Sequence, residues 1–106
     1  MRTNFRQLAK RIPNKVQIGP RLYYTVSFVD KININSKDVV IGMCDKNLKT
    51  IEILRTLGTK EKVMTYLHEC IHAFSDENDI GITERQVGLL EKKCLLFMIK
   101  SGNIFL

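Results

Sequence analysis

The chain has 106 residues and a formal net charge of +6, from 17 Lys and Arg against 11 Asp and Glu. That length predicts a single domain over residues 1–106, and with 44% hydrophobic and 26% charged residues, intrinsic disorder is excluded as a description of the whole. The apolar runs, such as Cys94 to Ile99, fall far short of the roughly 18 residues that cross a bilayer, so no membrane contact is expected.

Residues 1–12 read as a basic arm or a short helix, with Phe5, Leu8, Ala9 and Ile12 near one side and Pro13 as its end. This region has no continuous apolar stretch. No signal peptide is read, and a cytoplasmic location is expected. Residues 1–29 hold Arg2, Arg6, Lys10, Arg11, Lys15 and Arg21 and no acidic residue. Such a segment suits a solvated face or, with weaker support, a nucleic-acid or acidic-protein contact.

Val16 to Ile18 alternates as a short strand, and Gly19-Pro20 marks a turn. Leu22 to Val29 is rich in β-branched and aromatic residues and reads as a second strand. Asn33 to Asp38 is a polar loop. Val39 to Cys44 and Lys49 to Arg55 read as two more strands around an Asp45-Lys46-Asn47 turn.

The period then changes. Thr59 is placed to cap a helix over about Lys60 to Ser75, with Val63, Leu67, Cys70 and Phe74 in one stripe. His68 and His72 fall beside that stripe. Asp76 to Gly81 is a polar connection. Thr83 and Gln86 have the spacing of a capping box, and Ile82 and Val87 that of a hydrophobic staple. The last helix therefore starts at Glu84 and runs to about Lys100, with Val87, Leu90, Cys94, Phe97 and Met98 on one face. Leu89, Leu96 and Ile99 are assigned to the core in preference to a dimer contact. The expected fold is α+β: a small, mostly antiparallel sheet of three or four strands packed on two helices.

Cys44, Cys70 and Cys94 are widely spaced and form no CxxC pair. They are expected to be reduced, small, buried hydrophobes.

His68-Glu69-Cys70-Ile71-His72 is an HExxH sequence on the first of these helices. Residues four apart lie one turn apart on one face, so both imidazoles can reach one zinc ion at about 2.0–2.1 Å. Glu69, rotated by one residue, is placed to take a proton from water at the metal and pass it to a leaving amine. The chain has only two histidines and six glutamates. Chance placement would give this pattern on the order of one time in a thousand.

A catalytic zinc takes a third protein ligand and keeps one open position. With no further histidine, that ligand is Asp or Glu. Glu84 is preferred because it opens the next helix on the edge of its apolar face. Glu91, Asp76, Glu77 and Asp79 are the alternatives. Asp76 or Asp79 could hold the free N–H of a ligand histidine, Thr65 could bond the Glu69 carboxylate, and Tyr24 or Tyr66 could polarise a carbonyl.

The segments Ile12 to Gly19, Leu22 to Val26, Ile41 to Asp45, Lys49 to Ile53, Tyr66 to Ala73 and Ile82 to Val87 resemble small HExxH proteins of bacteriophages and mobile elements. These are similar to minimal gluzincin-type metallopeptidases. The resemblance implies Zn²⁺ held by His68, His72 and Glu84, with Glu69 as general base. It also implies a sheet edge that receives an extended peptide, and, for a phage protein, the bacterial cytosol as its location. The expected function is thus zinc-dependent peptide hydrolysis. The alternative is a weak or inactive zinc-binding module that contacts a host protein or nucleic acid through its basic N-terminal region.

Overall fold

The computed structural model describes residues 5–32 and 40–101. Four strands form one sheet: β1 (Lys15–Gly19), β2 (Leu22–Val29), β3 (Gly42–Asp45) and β4 (Thr50–Leu54). Their order across the sheet is β1-β2-β4-β3. The β1–β2 and β3–β4 pairs are antiparallel, while β2 and β4 run parallel, with Val26 opposite Ile51. The sheet is therefore mixed. A hairpin made of β3 and β4 docks against β2 with β4 on the inside, leaving β3 as an edge.

Local chemistry sets the turns. Arg21 takes a left-handed φ of 59° after Pro20, and Lys49 one of 56° before β4. Asp45 Oδ1 accepts from the backbone N–H of Asn47 at 2.9 Å and of Leu48 at 3.0 Å, which closes the β3–β4 hairpin as an Asx turn. The strand expected from Val39 starts at Gly42, and Val39 with the expected loop over Asn33 to Asp38 lies outside the described residues.

Strand alternation turns Val16, Ile18, Tyr24, Val26, Ile51 and Ile53 to one face. Helix α2 (Thr59–Glu77) lays Tyr66, Cys70 and Ala73 on it. The other side of α2 offers Val63 and Leu67 to Leu8 of α1 (Phe5–Lys10) and to Leu95 and Met98 of α3 (Glu84–Ser101). Helix α2 is thus a middle layer between the sheet and the other two helices.

Three sequence expectations are corrected here. Gly58 caps α2 with no side-chain hydrogen bond, and Thr59 is already helical. Phe74 is 48% exposed, because the layers on α2 take Leu67 on one side and Cys70 and Ala73 on the other, and neither cluster extends to it. Leu90 and Phe97 of the expected face and Leu89 and Leu96 of the second are exposed, while Val87 and Met98 are buried and Cys94 and Ile99 pack against the core as expected. The stripe of α3 that meets α2 is Glu84, Val87, Glu91, Leu95 and Met98. Two acidic residues interrupt its hydrophobic pattern, which is why periodicity alone misplaced it.

The reciprocal bonds of a capping box start α3. Thr83 N–H donates to Gln86 Oε1 at 2.9 Å, and Gln86 N–H donates to Thr83 Oγ1 at 3.2 Å. No helix among the described residues is long and apolar enough to cross a membrane.

Candidate metal centre

His68 and His72 lie one helical turn apart on α2, half-buried at the margin between its two packed sides. Their Nε2 atoms are 3.2 Å apart. Glu84, the first residue of α3, places Oε1 2.8 Å from His72 Nε2 and Oε2 3.3 Å from His68 Nε2. Ligand atoms from all three residues fall within 4.8 Å of one another.

This spacing fits a metal ion. A tetrahedral ion bound at about 2.0–2.1 Å keeps its ligands about 3.3–3.4 Å from each other. Two of the three observed separations, 3.2 and 3.3 Å, lie near that requirement, and the third, 2.8 Å from Glu84 Oε1 to His72 Nε2, is a hydrogen-bond distance that a bound ion would lengthen. Two imidazoles and one carboxylate are also a donor set that borderline divalent ions accept. His68, His72 and Glu84 could therefore hold a metal ion.

Glu84 is brought to the histidines by the α2–α3 connection. Ser75, buried in the last turns of α2, organises it. Its carbonyl accepts from Asn78 N–H at 3.3 Å and Ile80 N–H at 3.0 Å. Its Oγ accepts from Ile82 N–H at 3.1 Å. Asp79 and Gly81 adopt left-handed φ values of 52° and 67°, which fold the chain back. Helix α3 then returns antiparallel to α2 with its acidic N-terminal residue beside the imidazoles.

Glu91 occupies the same stripe of α3 as Glu84, two turns later. Its Oε2 lies 3.4 Å from His68 Nδ1, and its side chain is 16% exposed. The two carboxylates thus bracket one imidazole: Glu84 faces Nε2 and Glu91 faces Nδ1. A carboxylate facing Nδ1 favours the tautomer that leaves Nε2 free to ligate. Sequence reasoning offered Glu91 as an alternative ligand and gave the role at the histidine N–H to Asp76 or Asp79. Both aspartates are exposed, and Glu91 stands at that nitrogen.

Glu69 is 7% exposed. Burial pushes its carboxyl above the usual carboxylate range. The two imidazoles pull it down, and Glu84 and Glu91 push it up again. The start of β3 runs directly over it. A Cβ at Gly42 would stand 2.4 Å from Thr65 Cγ2 and 3.2 Å from Glu69 Oε2. Only glycine lets the edge strand pass this close, and Thr65 meets that strand with its methyl group. A lone glycine at a strand start gives no hint of this in the sequence.

The remaining candidates are engaged elsewhere. Glu77 accepts from Tyr24 Oη at 2.6 Å and from Lys49 Nζ, so neither Glu77 nor Tyr24 serves the centre. Tyr66 is fully buried in the sheet-facing core. All three cysteines are free, but only Cys70 is buried as expected; Cys44 and Cys94 are half-buried. Burial pushes the Cys44 and Cys70 thiols up to about 12, which suits inert thiols over thiolate ligands.

No family model, curated protein or solved structure matches this chain.

Proposed function

We propose that the protein is a zinc-dependent peptidase. The observation that carries this reading is the convergence of His68 Nε2, His72 Nε2 and the Glu84 carboxylate beside a buried Glu69. Zinc in that donor set supplies a Lewis acid that polarises a carbonyl and activates water at neutral pH.

The chain's own residues do the rest. Glu69 is the proton carrier: its carboxylate takes a proton from the attacking water and returns it to the leaving amine. Its burial suits this task, because it pushes the carboxyl above the usual carboxylate range and so makes the carboxylate a stronger proton acceptor. Glu91 orients His68 through Nδ1.

The edge strand receives the substrate. Ile41 O accepts from Leu54 N–H at 3.0 Å, so the antiparallel alternation turns the backbone groups of Gly42 and Cys44 away from β4. An extended peptide can add to that edge and lie over Glu69.

The test is hydrolysis of an unstructured protein such as casein by the zinc-loaded chain and by Glu69→Gln. The expected result is a rate lower by about 10²–10⁴-fold in the variant, with zinc content unchanged. Equal rates, or no zinc-dependent hydrolysis by the wild type, would overturn the reading.

A further inference from the structure

Beside the metal centre lies a cavity of about 260 Å³ lined by Ile41, Glu61, Met64, Thr65, His68 and Glu91. Its walls are largely apolar, and its carboxylates come from two different helices. Glu61 belongs to the first turn of α2, and Glu91 is the residue that faces His68 Nδ1. The neighbouring lysines of α2 are turned elsewhere. Lys60 Nζ lies over the Phe5 ring and Lys62 Nζ over the Phe28 ring, and neither lines the cavity. In a protein of net charge +6, two carboxylates and, among the described residues, no cationic Lys or Arg thus line a largely apolar hollow beside the candidate metal ligands.

We propose that this cavity is the subsite for a lysine or arginine side chain of the peptide laid along β3. The inference rests on the peptidase reading above and names its substrate class. Ile41 precedes Gly42 at the start of the edge strand, so the cavity opens where the extended peptide would pass. A basic side chain suits it in both parts. The methylene stem packs on Ile41 and Met64, and the cationic head reaches Glu61 and Glu91. An acidic side chain meets two like charges there, and a short apolar one makes no use of Glu61.

The test has a binding arm and a cleavage arm. In the first, zinc-loaded protein with ¹³C-methyl methionine is titrated with N-acetyl-lysine N-methylamide and with its norleucine counterpart. The Met64 methyl resonance is followed, since it lines the cavity. The expected result is saturable movement by the lysine compound at about tenfold lower concentration. Glu61→Gln should reduce that preference, and Glu61→Lys should reverse it toward N-acetyl-glutamate N-methylamide. In the second arm, a mixed peptide library is digested, and the cut ends are expected to show Lys and Arg enriched at one position. Equal movement by lysine and norleucine, or none by either, overturns the subsite. Lysine-selective binding with an uncut library supports the subsite and overturns the peptidase reading. Cleavage with no basic preference does the reverse.

Discussion

Glu84 Oε1 stands 2.8 Å from His72 Nε2, although the two residues belong to different helices and Glu84 is largely exposed. Their proximity depends on how the chain turns between α2 and α3. Ser75 holds that turn through its carbonyl and its hydroxyl, so the geometry of the centre depends on a residue that touches none of its ligands.

Ser75→Ala should therefore weaken zinc binding. The variant removes the hydroxyl that accepts from the half-buried Ile82 N–H, at a cost of about 0.5–1.5 kcal/mol, and loosens the turn that delivers Glu84. Competition with a chromogenic chelator should show a higher Kd with the helical circular dichroism retained. An unchanged Kd would show that the turn does not position Glu84.

Glu91→Gln should lower zinc affinity by about 10–100-fold with one zinc still bound, because the neutral amide no longer favours the His68 tautomer with the proton on Nδ1. Glu91→Asp should restore part of the loss. Histidine ¹⁵N chemical shifts would report the tautomer directly, and a merely structural role for Glu91 would leave them unmoved.

Gly42→Ala should destabilise the fold by about 1–3 kcal/mol in urea unfolding, since the added methyl overlaps Thr65 Cγ2. Thr65→Ser removes that methyl and should recover much of the loss in the double variant. Full additivity of the two changes would show that the close approach is not the cause.

Much of this was legible from short-range spacing. The four-residue separation of His68 and His72 puts both rings on one face of α2, and the Thr83–Gln86 pair marks where α3 begins. What could not be read depends on long-range packing. The parallel β2–β4 pairing inserts β4 beside a strand from which β3 separates it in sequence, and no local period encodes that. The packed stripe of α3 includes Glu84 and Glu91, so a hydrophobic pattern found Val87 and Met98 but grouped the exposed Leu90 and Phe97 with them. Glu91's place at His68 Nδ1 follows from that same rotation.

Glu77 gives a pH signature. Hydrogen bonds from Lys49 and then Tyr24 hold its carboxyl below the ordinary carboxylate value. A carboxyl lowered by folding contributes stability that is fully present above its unfolded pKa of about 4.3 and is lost as pH falls through the folded value. At pH 7 the Glu77→Gln variant should melt below the wild type. The gap should narrow as both are taken below the ordinary carboxylate range, and a gap constant down to pH 3 would contradict the assignment.

X-ray absorption at the zinc edge, on protein loaded with one equivalent of zinc, tests the central claim most directly. The expected spectrum has two imidazole shells and a carboxylate oxygen at about 2.0–2.2 Å, and Glu84→Ala should remove one oxygen while both imidazoles stay. Sulfur scattering at about 2.3 Å, or a spectrum that Glu84→Ala does not alter, would contradict a metal bridging α2 and α3.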